Sequence, residues 1–186
     1  LSTFDYSNQS SPIHRGVFLA RNVVGRALKP PPNAVEFKDA EFDPHLTMRE
    51  KVAELTKTAD CMTCHGIINP LGFALESYDA VGRLRLKDKG KPVNTTSSYI
   101  TADGQPLTFK GAADVAAYAA NNEWAQKNFL EQLFNFVAKQ PARAYGRNTI
   151  NELWKGFSKN NFNIPNLLAE IAVIVAKGPP PAETTQ

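Results

Sequence analysis

Two cysteines occur in the 186 residues, and both fall inside one five-residue stretch, Cys61-Met62-Thr63-Cys64-His65. On a helical turn, positions i, i+3 and i+4 share a face, so two thiols and an imidazole at this spacing point the same way. Both sulfurs could then form thioethers to the vinyl groups of one flat ring system while the imidazole reaches a metal at its centre. Cys-x-x-Cys-His is the attachment pattern of c-type haem, and it implies one covalently held haem c whose iron is bound by His65. Two rival chemistries use parts of the same set. A thioredoxin-like dithiol has the same gap, but it belongs before a helix in a βαβ unit, and no such pattern precedes Cys61. A structural zinc ion could combine Cys61 and Cys64 with two of His14, His45 and His65, at the cost of leaving His65 idle or strained beside Cys64. Thioethers at both cysteines would leave no thiol for a disulfide.

The far side of such a metal is open to several readings. No Met follows Met62, so a thioether well downstream of the motif is excluded. His14, at the start of a predicted helix and off its apolar face, is the favoured sixth ligand. Met48 shares an apolar stripe with Val52 and Leu55 and suits a core position better. His45 follows Pro44 in a loop and reads as solvated; an open or water-bound position is the remaining choice. The second ring nitrogen of His65 is expected to donate to a carbonyl, with an Asn69-Pro70 turn as the candidate acceptor. Leu71, Phe73 and Leu75 would wall the ring. Arg15 or Arg83 could meet its carboxylates, although a surface ion pair is the plainer role of each.

The elements that must carry these residues follow from periodicity and punctuation. Ser11-Pro12 reads as a helix start with proline at the first position, and Ile13, Val17, Ala20 and Val24 give an apolar face to about Leu28. Lys29-Pro30-Pro31-Pro32 stops it and leads into extended chain as far as Pro44. Thr47-Met48-Arg49-Glu50 matches a capping box for a second helix leading to the cysteines. Beyond the motif, Asn69 to Gly72 is turn-like, Phe73 to Tyr78 suits a short helix, and Lys87 to Pro92 suits a polar linker. Ser97–Thr101 and Pro106–Phe109 flank Asp103-Gly104 as a small hairpin. Helices are then predicted over about 112–120, from Asn122 to before Pro141, over 149–159, and from Asn163-Ile164-Pro165 to Gly178.

The fold class expected is mainly α: a cytochrome c-like haem domain over 1–90, a packed helical subdomain with a small β-hairpin over 91–178, and a disordered tail over 179–186. Apolar residues make up 42% and charged residues 21% of the chain, the composition of a folded globular protein. No apolar run reaches the length of a membrane-spanning helix. A net charge of +3, with basic residues scattered and no basic stripe, argues against nucleic-acid binding. The chain opens at Leu1 without Met or signal peptide and is expected to be a piece of a longer polypeptide. Covalent haem attachment takes place outside the bacterial cytoplasmic membrane, so a periplasmic or extracellular location is expected.

Several stretches go beyond the motif. Ser11 to Leu19, Pro30-Pro31-Pro32, Thr47 to Glu50, Asn69 to Glu76 and Asp79-Ala80-Val81-Gly82-Arg83 resemble the planctomycete-type cytochrome c-like proteins. So do Phe129 to Phe134, Lys139 to Gly146 and Leu167 to Val175. In that family a haem domain precedes a helical C-terminal domain of uncharacterised function. The family pattern places His where this chain has Leu55, which withholds the far-side ligand from the comparison and adds weight to His14. The resemblance implies a secreted, multidomain parent and one-electron transfer to a redox partner protein or a flanking domain. Peroxidase-like or oxygen-activating chemistry at an open sixth position is the alternative. No nucleophile–base pairing supports an enzyme of another kind; Glu50 and Glu54 read as a solvated helix face.

Overall fold

Glycine decides how the first helices meet. The computed structural model describes residues 5–6, 9–29 and 37–179. Helix α1 (Pro12–Phe18) starts on Ser11 with proline at its first position, as the sequence predicts. It passes into a π-helical turn over Leu19–Val23 and stops short of Leu28. Gly25, at φ 71°, lets the chain leave the helix while the Arg26 N–H reaches back to the Ala20 carbonyl. Pro30-Pro31-Pro32 lie outside the described residues, and Asp39–Glu41 forms a 3-10 turn where extended chain was expected.

Helix α2 (Met48–Leu55) begins with the anticipated capping box: the Thr47 side chain accepts from the Glu50 N–H, and Glu50 accepts from the Thr47 N–H. The Met48 N–H donates to Asp88 at 2.8 Å, so a residue far along the chain fills another open donor of this helix start. Helix α3 (Ala59–Phe73) is a separate element capped by Thr58, and it carries the whole cysteine–histidine motif. It also runs straight through Asn69-Pro70-Leu71-Gly72, where a turn was expected. Pro70 forfeits one helical hydrogen bond, yet residues 68–73 are all buried, and that packing outweighs the local preference. Past Phe73 the chain makes successive tight turns in place of the short helix expected over 73–78.

The crossing of α1 and α3 is backbone against backbone. A Cβ at Gly16 would run into the Ile68 carbonyl, and one at Gly72 into the Pro12 carbonyl. Around the crossing, Leu19, Ala20 and Val24 pack with Leu71 and Ala74, joined by Tyr99, Phe109 and Val115. The last three come from the hairpin β5 and β6 (Ser97–Ile100 and Pro106–Phe109) and from helix α4 (Ala112–Asn121). Two shorter antiparallel pairs precede it, β1 with β2 (Asp5–Tyr6, Gln9–Ser10) and β3 with β4 (Lys87–Asp88, Lys91–Pro92). The latter replaces the expected linker, turning on Lys89 and Gly90, both at positive φ.

Helices α5 (Glu123–Ala138), α6 (Thr149–Lys159) and α7 (Ile164–Lys177) follow, with a 3-10 turn over Ala142–Tyr145. Asn122 and Asn163 cap α5 and α7 through their side chains. Their core holds Leu130, Phe134, Leu153, Phe157, Leu167 and Ile171. The fold is mainly helical with small antiparallel hairpins, as expected. Packing divides it into two compact units, one ending at Ala120 and the other beginning at Asn121. Residue 90, where the sequence reading divides the chain, lies within the first unit, because the hairpin and α4 share the core of α1 and α3.

Candidate functional site

The first two turns of α3 carry Cys61, Cys64 and His65 on one face. Thr58 caps the helix by accepting from the Cys61 N–H, which makes Cys61 the third helical residue. The spacing i, i+3, i+4 is thus realised in an actual helix. The same stripe continues through Ile68 and Gly72, which are buried against α1. At the motif the stripe is half-buried, and both cysteines are free thiols. Met62, between them, is 43% exposed on another side of the helix.

His65 is oriented from within its own helix. Its Nδ1 lies 2.9 Å from Asn69 Oδ1, one turn onward. Asn69 is buried, and its Nδ2 donates to Thr56 Oγ1 at 2.8 Å. Thr56, the residue that closes α2, donates in turn to the Val52 carbonyl at 2.8 Å. The acceptor expected from a backbone turn at Asn69-Pro70 is therefore an amide side chain inside a helix. With Nδ1 occupied, Nε2 is the nitrogen left for a metal.

The donor set fits a c-type haem in its chemistry: two free thiols and one imidazole nitrogen share a helical face at the half-buried end of an apolar stripe. Among the described residues, no group of three or more His, Cys, Asp or Glu side chains converges as a metal cage. The far-side candidates stand apart from one another. His14 is exposed on α1 and shares a 2.8 Å hydrogen bond with Ser11. It is two residues from both Pro12 and Gly16, the α1 positions that meet α3, and so lies on the other side of that helix. Met48 is buried with Val52 and Phe73, in the core position its stripe suggested. His45 is exposed in a loop, its N–H bonded to Asp43.

Of the residues read as walls for a ring, Leu71 and Phe73 are buried in the protein's own cores and Leu75 is half-buried against one of them. Arg83 makes the plain surface pair, 2.8 Å from Asp79. Arg15 does neither thing expected of it. It is buried, and its guanidinium donates to the Tyr78 carbonyl at 2.7 Å and to the Asp79 carbonyl, closing the turns that follow α3. Beside it, buried Glu76 accepts from Ser10 at 3.0 Å and from Arg85 at 2.7 Å. Burial pushes the Glu76 carboxyl up, against the pull of Arg85, Ser10 and Arg15. Sequence reasoning missed this buried cluster, since nothing local distinguishes Glu76 from a solvated glutamate.

Among the described residues no helix is long and apolar enough to cross a membrane. No curated protein and no solved structure matches the chain. Residues 1–88 match the family model PSCyt3, described as a protein of unknown function (DUF1588), a stretch that includes the whole cysteine–histidine motif and leaves out the second-half segments read as similar. The chain is therefore similar over its first half to a family whose name points to planctomycete cytochromes and whose description assigns no function.

Proposed function

We propose that this chain carries one haem c, tethered through Cys61 and Cys64 with His65 as an iron ligand, and serves as a one-electron transfer module of an exported redox protein. The observation that carries the reading is the placement of two free thiols and His65 on one helical face, with Nδ1 of the imidazole occupied and Nε2 left over. Each thiol would add its S–H across one vinyl double bond, sulfur to one carbon and hydrogen to the other, so the linkage needs no oxidant. Bound in this way, the iron would supply a reversible one-electron couple. The chain's own part is to hold the imidazole in a fixed tautomer, to brace α3 against α1 through Gly16 and Gly72, and to keep apolar side chains behind the motif. The partner would be a redox protein or a flanking domain.

The test is maturation in a host with a cytochrome c assembly system. The purified protein should gain the mass of one haem and retain it after acid–acetone extraction, and Cys61→Ser with Cys64→Ser should lose it. A wild-type chain without the added mass would end the proposal. His14→Ala addresses the far side of the iron: a low-spin spectrum turning high-spin would assign His14 as the sixth ligand, and an unchanged spectrum would remove it.

A further inference from the structure

We infer that Asn69 is a positioning residue for the metal-binding imidazole, and that its orientation is dictated through Thr56 by the Val52 carbonyl of helix α2. The inference rests on the haem reading for its redox consequence, and its structural content stands without it. The direction of every hydrogen bond in this chain of groups follows from its far end. The Val52 carbonyl is only an acceptor, so Thr56 must donate its single proton there. Thr56 Oγ1 is then an acceptor towards Asn69, which fixes Nδ2 as the amide atom facing it. The other end of the amide, Oδ1, is left to face His65, and it can only accept. His65 must therefore carry a proton on Nδ1, and in the neutral ring the lone pair is on Nε2. All four groups lie between residues 52 and 69, and the amide is buried, so water does not compete for it.

Two consequences separate this role from simple packing. The imidazole is held with its lone pair outward before any ligand arrives, which a free side chain would not ensure. In addition, the acceptor behind it is a neutral amide, which raises the basicity of the ligating nitrogen less than a carboxylate would. Asn69 thus sets how far the iron is biased towards its oxidised form.

The experiment compares wild type, Asn69→Leu, Asn69→Asp, Thr56→Val and Thr56→Ser. Reduction potentials are measured on haem-loaded protein, and the ring-nitrogen NMR spectrum of His65 on the unloaded chain. Asn69→Leu should shift the potential upward and Asn69→Asp downward. Thr56→Val should move it in the same direction as Asn69→Leu but less, and Thr56→Ser should restore the wild-type value. In the unloaded chain His65 should be mainly the Nδ1–H tautomer and should lose that preference in Asn69→Leu. Equal potentials in loaded Asn69→Leu, Asn69→Asp and wild type would overturn the inference, as would an Nε2–H tautomer in the unloaded wild type. Absence of haem from wild type defeats the function reading alone, because the tautomer measurement still decides this one.

Discussion

The two compact units were built by different rules. In the second, from Asn121 onward, helix ends fall where local signals put them: Asn122 and Asn163 cap, Gly178 closes, and the core is a plain set of leucines, isoleucine and phenylalanines. In the first unit, local signals are repeatedly overruled. A helix runs through Pro70, α1 widens into a π turn, and Arg15, Lys51 and Glu76 are buried. The unit that breaks the local rules is the one that holds the cysteine–histidine motif. The contrast teaches that placing a chemical group demands close approach and fixed orientation, which neighbouring elements must impose, whereas a helical support can follow its own code.

Substitutions can break that contrast, beginning with the largest effect. Phe134, fully buried in the second unit, should cost about 3–5 kcal/mol when truncated to alanine. Both tryptophans, Trp124 and Trp154, lie in that unit, so urea unfolding followed by tryptophan fluorescence reads the loss directly. A comparison of glycines comes next. Gly72→Ala sets a methyl against the Pro12 backbone and should cost about 1–3 kcal/mol or more in chemical denaturation followed by circular dichroism. Gly156→Ala in α6 meets only the movable carboxylate of Glu170 at 3.1 Å, and should be neutral or stabilising by up to about 1 kcal/mol through helix propensity. Equal costs at the two positions would erase the distinction between a crossing made by backbone and one made by side chains.

Two pH effects sharpen the picture of the first unit. Burial pushes the Tyr99 hydroxyl from 10.0 up to about 12, against the pull of nearby Arg26. The raised value favours the protonated folded form, so its contribution is complete below pH 10 and lost as pH rises towards 12, on the order of 1 kcal/mol. Tyr99→Phe should flatten that alkaline limb in thermal unfolding. The smallest effect belongs to Glu50, which hydrogen bonds from Lys91 and Thr47 hold at about 2 instead of 4.5. Its contribution is present above pH 4.5 and lost as pH falls through about 2. Because the Glu50 side chain is 42% exposed, solvent screening limits this to a few tenths of a kcal/mol. Glu50→Gln should remove the dependence in an acid titration of stability.

The candidate site was legible in part. The motif, the capping box at Thr47 and the core role of Met48 could all be read from residue type and spacing. The amide behind His65 could not, although a signal was present: Asn69 stands one helical turn after His65, and only the expectation of a turn before Pro70 hid that relation. Arg15 and Glu76 carried no signal, because a charge is buried by partners from distant segments, here Ser10, Tyr78, Asp79 and Arg85.

Sequence alone was sufficient for the identity and spacing of the donor groups, for the helices of the second unit and for the hairpin at Asp103-Gly104, since each depends on interactions within one turn or one tight loop. Tertiary structure decided the continuity of α3 through Pro70, the meeting of Gly16 with Ile68 and Gly72 with Pro12, and the tie from His65 through Asn69 to Thr56. Those features depend on burial and on contact between different helices, and the free energy of burying several residues together exceeds the preference of any one of them.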